Sequence, residues 1–153
     1  AMIARLVGSE MCIRDSPAML AFDAPSREEC TAERPRSNIP QQALVMLNDP
    51  VFVEAARVFA EILLWDPVKK DQDKINLAFE KALTRKANGE EMKVMLELLD
   101  DQRMRYRKDK QAALELLQTG QKPFDTKLPQ AELAAWTSVS RTLLNLYETT
   151  ARF

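Results

Sequence analysis

Five polar residues between positions 23 and 38 carry the best prospect of chemistry. Asp23, Arg27, Arg34, Arg36 and Asn38 lie in a stretch with neither helical nor strand period. The planar donor fork of arginine fits a carboxylate or a sugar acid, so a cleft lined by these side chains would select an anionic ligand. The competing reading is that they cap helices and hold their own segment down. That reading is favoured, because polar loop side chains more often organise backbone than react. Cys30 lies in the same stretch. A reactive thiol needs a cation beside it, which Arg27 or Arg34 would supply. The chain has no histidine to act as base, so an inert, buried cysteine is favoured.

The missing histidine also removes a histidine triad, a histidine metal ligand and a haem-attachment motif. No complete catalytic set is assigned, and no metal site or cofactor is expected within this segment. The acidic pairs Glu28-Glu29, Glu90-Glu91 and Asp100-Asp101 are adjacent in sequence. Neighbours on a helix point about 100° apart, so these pairs read as solvated. Asn48-Asp49-Pro50 offers too few oxygens for a calcium ion and reads as a helix cap. The run Arg103, Arg105, Arg107, Lys108 and Lys110 is interleaved with acids, and Tyr106 is its sole aromatic. It reads as a solvated helix face, and no nucleic-acid partner is expected. The formal net charge of −1 agrees. A sugar could stack only on Trp65, Trp136, Tyr106 or Tyr147, and Trp136 is assigned to the core, so carbohydrate binding has little support.

The elements that must position these residues are helices. The chain has only three glycines, and its Leu, Ala, Glu, Lys and Gln favour helix over sheet. Residues 17–39, with Pro17, Pro25 and Pro35, form an extended polar arm with turns. From Pro40 on, the period becomes helical. Ala43, Leu44 and Leu47 share a face, and Asn48-Asp49-Pro50 separates that helix from the next. Phe52, Val53, Ala56, Phe59, Ala60 and Leu63 form the following stripe, running to Trp65. A third helix spans about Gln72 to Arg85, burying Ile75, Ala78, Phe79, Ala82 and Leu83. Asn88-Gly89 then starts a longer helix on Met92, Met95, Leu96 and Leu99, ending near Lys108. Asp109 caps a short helix carrying Ala113, Leu114 and Leu117, and Thr119-Gly120 stops it. After a loop over 120–128, Pro129 opens a last helix with Leu133, Trp136, Val139, Ser140, Leu143, Leu144 and Tyr147 inside. The fold class is all-α, an irregular bundle of about six helices preceded by an extended polar arm.

Residues 1–16 stand apart. Met2, Ile3, Leu6 and Val7 are interrupted by Arg5 and followed by Gly8-Ser9-Glu10. That is too short for a signal-peptide core or a membrane span. Cys12 has no Cys-x-x-Cys partner. The peptide LVGSEMCIRDS, Leu6 to Ser16, resembles an in-frame translation of a transposase-adapter oligonucleotide used in sequencing libraries. We therefore expect residues 1–16 to be a non-native, adapter-derived segment. On that expectation residues 17–39 are the arm, and 40–153 are the helical C-terminal portion of a larger, truncated domain.

Beyond that segment the chain resembles a known family. The motifs are Phe22-Asp23-Ala24-Pro25-Ser26-Arg27-Glu28 with Cys30-Thr31, and Arg36-Ser37-Asn38-Ile39-Pro40-Gln41-Gln42-Ala43-Leu44. Further on come Leu47-Asn48-Asp49-Pro50, Phe52-Val53-Glu54-Ala55-Ala56-Arg57, Glu132-Leu133-Ala134-Ala135-Trp136 and Leu143-Leu144-Asn145-Leu146. These resemble the C-terminal end of the domain of unknown function numbered 1553, found in large planctomycete proteins that often carry a cytochrome c-like module. The chain departs from the family pattern at Glu33, Ser37, Ile39, Gln41, Tyr147 and Thr149. The resemblance implies an exported, multi-domain parent, with any haem held elsewhere in it. It also implies that the partner of this segment is the upstream remainder of its own chain. Removing that partner should leave apolar patches exposed, around Met19, Leu20 and Phe22 or on one helix face. An interaction module is the leading expectation. An enzyme fragment, hydrolytic or redox-linked, is the alternative, followed by a carbohydrate-binding module.

Overall fold

A computed structural model describes residues 18, 21–23, 37, 39–68 and 70–150. These residues hold seven helices and no strand. They are α1 (Pro40–Asn48), α2 (Pro50–Trp65), α3 (Asp71–Leu83), α4 (Gly89–Lys108), α5 (Lys110–Leu117), α6 (Gln130–Leu144) and α7 (Tyr147–Thr150). The described residues divide into two compact units, one up to Asp49 and one from Pro50 on.

In the first unit, the Phe22 N–H donates to Ala18 O at 3.2 Å. Asp23 then enters the left-handed region at φ 54, which an aspartate tolerates better than most side chains. Its Oδ2 accepts from both the N–H and the Oγ of Ser37, each at 2.7 Å. Gln42 donates from Nε2 to Ala21 O and Ser37 O, both at 2.9 Å. Pro40 opens α1, where its missing N–H costs nothing. At the other end, Asn48 Nδ2 donates back to Leu44 O at 3.0 Å.

The second unit is built around α6. Leu133 to Thr137 are buried without a break, followed by Val139, Ser140 and Leu143. A helix buried on nearly every side is the centre of its bundle, and α2, α3, α4 and α5 all pack on it. Trp136 is the largest fully buried side chain. The inner face of α2 supplies Val53, Ala56, Ala60 and Leu63. Ile75, Ala78 and Phe79 come from α3, Met95, Leu99 and Tyr106 from α4, and Ala113 and Leu117 from α5.

Local chemistry sets the helix boundaries. Asn88 and Glu91 form a reciprocal capping box, with bonds of 2.9 and 2.8 Å. Asp109 ends α4 and caps α5 by accepting the Ala112 N–H at 2.9 Å. Thr84 closes α3 in the left-handed region at φ 57, an uncommon choice for a β-branched residue.

The last helix differs from expectation. It stops at Leu144, and Tyr147 opens a separate short turn, 65% exposed instead of inside. The terminal amides fold back on the preceding turn, Asn145 N–H on Arg141 O and Leu146 N–H on Leu143 O.

Candidate interaction surface

Helix α2 carries two apolar stripes. The first, Val53, Ala56, Ala60 and Leu63, is the buried one. The second is Val51, Ala55, Val58, Ile62 and Trp65, stepping by four and three residues in alternation. That step keeps one seam along a helix and is the spacing by which helices pair. This stripe faces out. Val51 is 71%, Ile62 49% and Trp65 56% exposed. Val51, Ala55, Val58 and Ile62 of this stripe line an open groove of about 640 Å³, and Gly120 and Gln121 line it too.

A polar seam on α2 holds residues 121–125 in place. Glu54 accepts the N–H of Gln121 at 2.7 Å and of Lys122 at 3.2 Å. Arg57, fully buried, donates from Nη2 to Lys122 O at 2.6 Å and from Nη1 to Glu61 at 3.0 Å. Glu61 also accepts the Asp125 N–H at 3.4 Å, and Trp65 Nε1 donates to Asp125 Oδ2 at 3.1 Å. Residues 54, 57, 61 and 65 lie along one side of the helix. Glu54, Arg57 and Glu61 bond backbone groups of residues 121, 122 and 125, and Trp65 bonds the Asp125 side chain. The Gln121 N–H, joined by that of Lys122 and by the charges of Arg57 and Lys122, holds the Glu54 carboxyl below its usual range.

Two ion clusters tie the helices together. Arg103 of α4 forks onto Asp71 at 2.7 and 3.1 Å and onto Glu132, its Nε lying 2.9 and 3.1 Å from the Glu132 oxygens. Nη2 of Arg103 also meets Glu132 Oε1. Trp136 Nε1 donates to the same oxygen at 3.0 Å. Asp71 and Glu132 sit in the first turns of α3 and α6, where the helix dipole favours a negative charge. Hydrogen bonds from Arg103 lower the Asp71 carboxyl, and both acids raise Arg103 above its ordinary value. Arg85 makes the second cluster, with Glu91 at 2.8 Å and Glu148 at 2.6 Å. It holds the Glu91 carboxyl down to about 2 and lowers that of Glu148. These carboxylates are engaged by fixed arginine forks. They lock helices together.

Two expectations of solvated charge are corrected here. Arg103 is turned into a cluster with Asp71 and Glu132, its side chain 17% exposed. Glu91 belongs to a cap and an ion pair. Tyr106 and Trp136 are buried, which leaves Trp65 and Tyr147 as exposed aromatics among those weighed for sugar stacking. Of the predicted polar cleft, Asp23 is the described member, and its carboxylate is bonded to Ser37. Arg27, Arg34, Arg36, Asn38 and Cys30 lie outside the described residues. The second α2 stripe was not singled out in the sequence, although its four-and-three spacing was there to read. Of the patches expected, Met19 and Leu20 lie outside the described residues, Phe22 is 39% exposed, and an exposed apolar helix face is seen in that stripe. Among the described residues, no group of three or more histidines, cysteines or acids could hold a metal ion. No helix there is long and apolar enough to cross a membrane.

The family model described as PSD1, protein of unknown function (DUF1553), matches residues 11–99. It begins within the adapter-like stretch and runs through α1, α2 and α3 into α4. No curated protein and no solved structure matches the chain.

Proposed function

The chain belongs to the PSD1 (DUF1553) family of unknown function, and from that premise we propose that it is a helical interaction module, the docking end of a larger exported protein. The observation that carries this reading is the second apolar stripe of α2. The occupant is an apolar helix face of the parent's own upstream part. Two features support the choice. The family match includes all of α2 and the residues before it. The stripe also has the spacing of a helix-pairing seam. The ionic groups around the bundle are spent on internal clamps, which favours a scaffold over a reaction centre. Export, and a haem-bearing module elsewhere in the parent, rest on the family resemblance alone.

The test uses the untruncated reading frame. Its upstream part is produced separately and titrated against the present chain. The expected result is a saturable complex, weakened about tenfold or more by Ile62→Glu, which places a charge in an apolar contact. A folded chain that shows no binding, or a variant that binds as well, contradicts the reading.

A further inference from the structure

Residues 119–125 run beside α2 as a strap, held in an unusual way. Backbone-to-backbone bonds flank it, Thr119 N–H on Leu116 O and Leu128 N–H on Asp125 O. Between them, the amides of Gln121, Lys122 and Asp125 go to side chains of Glu54 and Glu61. Gly120, Gln121, Lys122 and Pro123 are exposed, and Phe124 is the strap's apolar anchor on the core. A segment with few buried apolar contacts and solvent-facing bonds has low local stability. Beneath it, Arg57 is fully buried with no partner for its Nε among the described residues. Gly120 supplies a pivot, since its φ of +105 is open to glycine.

We propose that residues 119–125 are a latch that opens and closes on α2 as a unit while the bundle stays folded, and that only the closed latch completes one wall of the docking groove. The second half of this proposal rests on the docking reading above. The motion itself does not, and it is tested without a partner.

The experiment is hydrogen exchange on the intact chain, comparing peptides over 119–128 with peptides over 133–143 of α6. In the wild type the strap amides exchange faster than those of α6. Glu54→Ala removes the acceptor of two strap amides and raises exchange over 119–128 about tenfold, leaving 133–143 unchanged. Trp65→Phe keeps an aromatic ring, removes the bond to Asp125, and gives the same local effect if Glu54→Ala does not fold. Strap amides that exchange together with α6, or variants that accelerate both regions alike, overturn the proposal. A latch that opens in a chain that binds nothing would refute docking and leave the latch standing.

Discussion

The carboxylate of Glu54 reaches across 67 residues of sequence to accept the backbone N–H of Gln121 at 2.7 Å. The neighbouring glycine explains why the approach is so close. A Cβ built on Gly120 would lie 2.2 Å from Glu54 Oε2 and 2.7 Å from Glu54 Cβ. Gly120→Ala therefore combines a clash with a strained positive φ. We expect it to lower stability by about 2 kcal/mol, read as a reduced urea midpoint. In a Glu54→Ala background part of that loss should vanish, because the carboxyl atoms at 2.2 and 2.8 Å are gone while the Cβ contact and the φ strain remain. Equal losses in both backgrounds would contradict the contact.

Thr84 should be improvable. It occupies a left-handed helix end at φ 57, where glycine is the usual residue. Thr84→Gly relieves the strain of a β-branched residue there and should stabilise the chain by about 1 kcal/mol. Urea denaturation checks the sign, and a destabilised variant would show that the Thr84 Oγ1 bond to Leu83 O matters more.

Arg103 of α4 clamps the first turns of α3 and α6. Arg103→Ala leaves Asp71 and Glu132 facing each other without their shared cation. The site is partly open to water, so a loss of about 2 kcal/mol is expected, less than for a deeply buried pair. Arg103→Lys should recover less than half, since one ammonium cannot fork onto two carboxylates. The measurement is the urea midpoint of each variant, and full rescue by lysine would refute the bidentate account.

Acid should loosen the bundle in a defined direction. Arg85 holds Glu91 at about 2, below the ordinary 4.5. Asp71, Glu54 and Glu148 are lowered too. A folded-state value below the unfolded one adds stability above the unfolded value, and that stability is lost as pH falls towards the folded value. Stability should therefore fall between about pH 5 and pH 2. Glu91→Gln should be less stable near neutral pH and show a shallower acid slope. An unchanged slope in urea titrations would contradict the pairing.

Much of the fold was legible from punctuation. Pro40, Pro50, Asn88-Gly89 and Asp109 mark helix starts because their backbone chemistry is local. Trp136 was assigned to the core by its period, and it is buried. Arg103 was not legible. It sits in a run of mixed charge, and its partners are 32 and 29 residues away. Sequence alone does not say which arginine of such a run turns inward. The polar seam of Glu54, Arg57, Glu61 and Trp65 was hidden for the same reason, since its partners on the 121–125 segment lie 60 to 68 residues away. The outer stripe was legible in principle. The stripe ending at Leu63 accounts for one face of α2 only, and a helix apolar on two faces signals two partners.

The opening stretch has its own test. Raw nucleotide reads across codons 6–16 should show adapter sequence, with no genomic read continuing through it. Independent genomic reads that span the junction would restore residues 1–16 to the natural protein.

The most direct measurement of the central claim is thiol accessibility on the outer face of α2. Cys12 and Cys30 are replaced by serine, and Ile62→Cys is placed both in the present chain and in the untruncated parent. Val94→Cys on α4, a position 59% exposed, serves as the control. The account predicts that position 62 reacts readily in the present chain and about tenfold or more slowly in the parent, while position 94 reacts alike in both. Equal reactivity at position 62 in the two proteins would contradict docking through α2.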